Sequence, residues 1–93
     1  MPFKEQFQTE EQFDTKELVL DEKKLMVFND EVNTFDWVIE SLIDVCDHTI
    51  EQAEQCTLII HYKGHASVRQ GSPKRLRPMK EALLGRGISA AIE

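Results

Sequence analysis

Lys24-Leu25-Met26-Val27-Phe28-Asn29-Asp30-Glu31-Val32-Asn33-Thr34-Phe35-Asp36-Trp37-Val38-Ile39 changes its hydrophobic rhythm halfway along. Its first five residues form an apolar run too short for a helix, and Val27 and Phe28 suit a buried strand. Asn29-Asp30 stops the run, as residues that bond their own backbone in turns do. From there, apolar side chains recur at Phe35, Val38, Ile39, Leu42, Ile43 and Cys46, one face of a 3.6-residue period. Asn33 or Thr34 can cap this helix, and Asp36 suits its positive end. Asp47-His48 breaks it.

Thr49-Ile50-Glu51-Gln52 reads as a capping box for a second helix, with Ile50, Ala53, Cys56, Thr57 and Ile60 along one side and Gly64 as its stop. Ala66 to Gln70 is a strand candidate ending at Gly71. Ser72-Pro73 starts a third helix, with Ser as cap and Pro in the first turn. Pro78 is expected to kink that helix or to mark the start of a shorter one. Gly85-Arg86-Gly87 ends it, and residues 88–92 form a last short strand. The order strand, helix, helix, strand, helix, strand predicts a single small α+β domain over residues 21–93, its helices on one face of a three-stranded sheet. Residues 1–20, polar and acidic around isolated Phe residues, are expected to be a mobile tail.

The chain has 93 residues with 11 bases against 17 acids, a net charge of −6, and 41% hydrophobic residues, which suffices for one globular core. No apolar run approaches the roughly 20 residues of a membrane span, and the first residues lack the apolar centre of a signal peptide. The expectation is a soluble cytoplasmic protein with no membrane partner and two reduced cysteines. Charge is unevenly placed. Residues 32–62 hold six acids and no base, whereas residues 63–93 hold seven bases and two acids. An acidic chain argues against nucleic-acid binding. The basic run Lys74, Arg75, Arg77 and Lys80 reads either as a solvated helix face or as a docking surface for an acidic protein partner.

Helix geometry locates a site. Residues 35–46 rise about 18 Å, and a short connection makes the next helix retrace the first. His61 returns by roughly 16 Å, level with Phe35 and beside Asn29-Asp30-Glu31. Phe35, Val38, Thr57 and Ile60 gather at the same end, giving a shallow apolar pocket rimmed by one amide, two carboxylates and one imidazole. That chemistry suits an ammonium group next to an apolar side chain, because an ammonium offers three donors and no acceptor. Asn29, Glu31 and neutral His61 can each accept one, and Glu31 supplies the opposite charge. A free peptide N-terminus is such a ligand. The competing reading of Asn29-Asp30 is an ordinary turn.

Other chemistries fare worse. His61 and His65 lie four apart, but Gly64 breaks the helix between them, and Cys46 and His48 fall at the far end, so no metal site is expected. Both thiols lie on apolar helix faces, where burial makes them inert. There is no nucleophile triad and no phosphate loop, so the chain is not expected to be an enzyme or to need a cofactor.

The run from Leu25 to Ile39 resembles the ClpS family pattern of a strand followed by Asn-Asp-Asp, Thr-Pro-Met, an aromatic and two aliphatics. Ala53-Glu54-Gln55 with Ile59-Ile60-His61-Tyr62-Lys63-Gly64 resembles the family's second signature, Val-His with a Gly close behind. The resemblance covers residues 24–68 without a gap and then runs more loosely to 93. It implies the ClpS α+β fold, and an adaptor that hands proteins with a bulky hydrophobic first residue to a Clp unfoldase and its protease. It also implies α-amine ligands at Asn29, Glu31 and His61, and a side-chain pocket of Phe35, Val38, Thr57 and Ile60, with Cys56 beside them and Ser89 at the floor. The acidic tail would be the segment presented to the unfoldase, and the protein alone would be monomeric.

Departures from the pattern are concrete. Glu31 stands where the family has Asp, Asn33-Thr34 replaces Thr-Pro and is expected to leave a less rigid turn, and Phe35 and Thr57 replace Met residues. Lys74 and Met79 fall where the family carries docking charges, so Lys74, Arg75, Arg77 and Lys80 become the candidate unfoldase face. The alternative reading is a ClpS-like interaction domain that docks on an unfoldase or another acidic partner without reading N-termini.

Overall fold

The computed structural model describes residues 22–93; the expected tail, residues 1–20, lies outside them. The elements run β1 (Lys23–Phe28), α1 (Phe35–Cys46), α2 (Ile50–Lys63), β2 (His65–Gly71), α3 (Pro73–Gly85) and β3 (Ala90–Ile92). The sheet order is β2-β1-β3, both pairings antiparallel, so the apolar run at the start of the sequence is the central strand. Because side chains alternate across a strand, Leu25 and Val27 face the helices and are fully buried, and Met26 takes the open face. Ala66 and Val68 of β2, with Leu42, Cys46, Ala53, Ile60, Leu76, Leu83 and Ile88 from the three helices and the β3 approach, complete the core.

The caps follow the sequence. Thr34 accepts from the Trp37 amide at 3.0 Å. Thr49 and Gln52 form the reciprocal capping box at 3.1 and 2.9 Å. Gly64 ends α2 at φ 94°, a left-handed conformation that glycine adopts without strain. The tight return between α1 and α2 rests on Asp47 at φ 60°, one of the few non-glycine types that tolerate this region.

Two expectations about the helices are corrected. Ile50, the first residue of α2, lies outside its buried face and is 61% exposed. Pro78 does not mark the start of a shorter helix: α3 begins at Pro73, capped by Ser72, and runs through Pro78 to Gly85. The amide lost at Pro78 would have bonded Lys74, and both residues are exposed, so water can satisfy that carbonyl.

His48 does more than break a helix. The β1–β2 register slips between Leu25, opposite Arg69, and Met26, opposite Ser67, which leaves Val68 as the extra residue of a bulge. His48 Nε2 donates to the Val68 carbonyl at 2.8 Å, and Arg69 donates to the Cys46 carbonyl at 2.9 Å, so the α1–α2 corner is tied to the bulge. With Nε2 on a carbonyl, a proton sits there, and the buried Nδ1 has no hydrogen-bond partner among the described residues. His48→Ala is expected to cost about 1–3 kcal/mol, read as a lower urea midpoint, because it strands a buried carbonyl.

At the other end of α1, Trp37 donates from its indole to the Arg86 carbonyl at 3.1 Å while the Arg86 guanidinium lies 5.2 Å from the indole ring. Arg86 also reaches Ser41 at 3.2 Å and Asp44 at 3.3 Å, which closes α3 onto α1 and delivers Ile88 under the sheet.

Candidate functional site

Where β1 ends, a cavity of about 420 Å³ opens between the β1–α1 loop, the start of α1 and the last turns of α2. Val27, Thr57, Ile60 and Ile88 are buried and form its floor, and Val38 lines its wall. Asn29, Glu31, Phe35 and His61 line it as well, are exposed, and so form its rim. The antiparallel helix pair accounts for this: α2 brings His61 back beside Phe35, ring centroids 6.0 Å apart and nearly perpendicular. Tyr62 packs edge-on against the imidazole from the outer side at 5.3 Å.

The loop divides its polar groups into engaged and free. Asp30 is consumed locally: its carboxylate accepts from the Val32 and Asn33 amides at 3.0 Å and from the Asn33 side chain at 3.0 and 3.1 Å. Asn33 further donates to the Gly87 carbonyl at 2.9 Å, pinning the loop to the α3–β3 turn. The turn expected to be less rigid for want of proline is thus held by a side-chain clamp and by the Thr34 cap. The Asn29 amide is fixed by the Gly64 carbonyl at 2.8 Å, which couples the loop to the end of α2. Among the described residues, the side chains of Asn29, Glu31 and His61 have no hydrogen-bond partner.

Seven of the nine residues expected at the site therefore converge on one cavity: Asn29, Glu31, His61, Phe35, Val38, Thr57 and Ile60. Two do not. Cys56 is one residue before Thr57 and so is rotated about 100° around α2. It lines a separate shallow hollow with His48 and Val68. Ser89 is exposed, and its carbonyl accepts from the Phe28 amide at 3.0 Å; the floor position belongs to Ile88, because successive residues of an extended segment point to opposite sides. Burial was the missed signal for Ile88, an aliphatic just before the last strand. Thr57 donates to the Ala53 carbonyl at 2.7 Å, so its hydroxyl hydrogen is already committed within the helix.

Burial pushes the Cys46 thiol up to about 11, partly offset by nearby Arg69, and raises Cys56 as well, so neither is a ready nucleophile at neutral pH. Among the described residues no three His, Cys, Asp or Glu side chains converge as metal ligands, and no helix is long and apolar enough to cross a membrane. Lys74, Arg75 and Arg77 are exposed on α3; Lys80 is half-buried and lies 3.9 Å from Glu81.

Comparison with known proteins agrees with this architecture. The structure of Agrobacterium tumefaciens ClpS2 bound to L-phenylalaninamide superposes with a TM-score of 0.70 at 22% identity, over 78% of this chain and 95% of that one. ATP-dependent Clp protease adapter proteins ClpS of Campylobacter jejuni subsp. jejuni and subsp. doylei are 42% identical over 41 residues, 44% of this chain. The match spans 43% of those relatives' own length. The sequence model of the family described as ATP-dependent Clp protease adaptor protein ClpS matches residues 21–87. With most of its length inside that match, and with the strand order and cavity built from the same stretch, this chain belongs to the ClpS family.

Proposed function

We propose that this protein is a non-enzymatic adaptor that binds a free protein N-terminus carrying a bulky hydrophobic first residue and passes the bound protein to a Clp unfoldase and its protease. The observation that carries this reading is the pairing of an apolar cavity with three acceptors at its rim, Asn29, Glu31 and His61, whose side chains have no hydrogen-bond partner among the described residues. An ammonium at the rim satisfies all three, and the adjoining side chain occupies the floor over Val27, Thr57, Ile60 and Ile88. The relative bound to L-phenylalaninamide supports it, because that ligand is an ammonium beside a benzyl group. Glu31, one methylene longer than Asp, reaches the rim from an exposed loop position.

The test is a titration with otherwise identical peptides beginning with Phe or Ala. The Phe peptide is expected to bind at least about tenfold more tightly, since filling the apolar floor is worth roughly 1.5–3 kcal/mol. Equal affinities would sink the reading.

The partner contact is assigned to α3. Lys74, Arg75, Arg77 and Lys80 form the basic face that meets an acidic surface on the N-terminal domain of the unfoldase, roughly 20 Å along β1 from the cavity. Charge reversal at these four positions is expected to weaken unfoldase binding while leaving Phe-peptide affinity unchanged. Unchanged unfoldase binding would remove α3 as the docking face and favour the second reading, a ClpS-like interaction domain held by another surface.

A further inference from the structure

We infer, resting on the function proposed above, that Thr57 is a specificity-determining residue: its hydroxyl oxygen accepts a hydrogen bond at the deep end of the cavity, so the protein favours an N-terminal tyrosine over phenylalanine.

Polarity of the buried lining singles Thr57 out. The buried residues of the cavity are Val27, Thr57, Ile60 and Ile88. Three of these are aliphatic and carry no hydrogen-bonding group on the side chain. Thr57 is the one polar side chain among the four, and it is 3% exposed. The other polar side chains of the lining stand at the upper end. Asn29, Glu31 and His61 form the exposed rim, Asp30 and Asn33 hold each other, and Thr34 caps α1.

The hydrogen of Thr57 fixes what its oxygen offers. A hydroxyl has one hydrogen and two lone pairs. Thr57 donates that hydrogen to the Ala53 carbonyl at 2.7 Å, so toward a ligand it is an acceptor only. Among the described residues no group donates to this oxygen. An acceptor on an otherwise aliphatic floor selects for a ligand side chain that ends in a donor.

The direction of α2 sets the depth. The helix arrives at the mouth with its C-terminal end, so His61 stands on the rim and Thr57 lies one turn earlier, about 6 Å farther in along the axis. The bond to Ala53 draws the hydroxyl toward the preceding turn, away from the rim. A first residue held by its amine at the rim points the tip of its side chain the same way. In tyrosine the tip is a phenolic O–H. In tryptophan the N–H sits on the flank of the ring, and phenylalanine and leucine have no donor. Against a wholly aliphatic floor the phenol would be buried without a partner, which would rank tyrosine below phenylalanine. The Thr57 oxygen removes that penalty and adds a hydrogen bond that phenylalanine lacks.

The experiment titrates the full chain with otherwise identical peptides that begin with Tyr, Phe, para-fluorophenylalanine or Ala, followed by calorimetry or anisotropy. The wild type is expected to bind the Tyr peptide at least about twofold more tightly than the Phe peptide. The fluorinated peptide, substituted at the same ring position but without a donor, is expected to follow Phe. Thr57→Val keeps the branched shape and the helical backbone bond to Ala53. It is expected to lower Tyr affinity at least about fivefold relative to Phe, and its Phe affinity reports that the cavity is still formed. Thr57→Ser keeps the hydroxyl and is expected to keep Tyr ahead. A Tyr-to-Phe ratio that Thr57→Val leaves unchanged would overturn the role of Thr57. So would a fluorinated peptide that binds the wild type as tightly as Tyr, because the preference would then follow ring substitution and not a donor. Both results leave the adaptor reading standing as long as Phe outbinds Ala; indistinguishable Phe and Ala peptides would remove that reading and the role of Thr57 with it.

Discussion

Acetylating the N-terminus of a Phe-initiated peptide is expected to lower its affinity for this protein at least about hundredfold, measured by calorimetric or anisotropy titration. The acetyl group removes the charge and leaves one amide donor in place of three ammonium donors. A hydrogen bond to a charged group contributes about 1.5–3 kcal/mol, and two of the three rim contacts are lost. At about 1.4 kcal/mol per decade this amounts to two decades or more. His61→Ala removes one acceptor and is expected to cost about tenfold, at the lower end because the imidazole is exposed. Asp30→Asn serves as a contrast. That carboxylate is already saturated by the Val32 and Asn33 amides and the Asn33 side chain, so its effect should appear in loop order before ligand charge. An acetylated peptide that binds as tightly as the free amine would show that the cavity reads only the side chain.

Leu25→Ala is expected to lose about 2–5 kcal/mol of folding stability, seen as a large fall in the urea midpoint. Leu25 is fully buried on the central strand, between Arg69 on β2 and Ile92 on β3, and faces all the helical layer. The surrounding backbone is held by ladder bonds on both edges, so it cannot collapse into the cavity left behind. Against a total of about 5–15 kcal/mol for a small domain, this one change removes a large share. Met26→Ala, one residue along but on the open face, should cost well under half as much. Equal losses at the two positions would contradict the observed alternation.

The elements were legible because each carries its own local instruction. Val38, Ile39, Leu42 and Ile43 announce α1 by period, Thr49 and Gln52 announce α2 by their reciprocal cap, and Ser72-Pro73 opens α3. Even the level of His61 against Phe35 followed from helix rise and a short connection, and their rings do meet. Ile88 and Ser89 show where such reasoning stops. A short strand has little periodicity, and a one-residue offset exchanges the buried and exposed sides. Cys56 and Thr57 show the same limit on a helix, where one step turns a side chain by about 100°.

The residues that must be apolar, the turns and the caps were decided by the chain alone, since those depend on neighbours within a few positions. The gathering of Asn29, Glu31 and His61 at one rim was legible too, although it is not local, because regular helix rise and a short α1–α2 connection carry His61 back to the β1–α1 loop. The bulge at Val68, its His48 anchor and the clamp from Asn33 to Gly87 were decided only by the folded molecule. These contacts join residues 20 and 54 positions apart. Their partners are backbone carbonyls, which every residue carries, and no side-chain pattern marks which carbonyl will be left without a ladder partner.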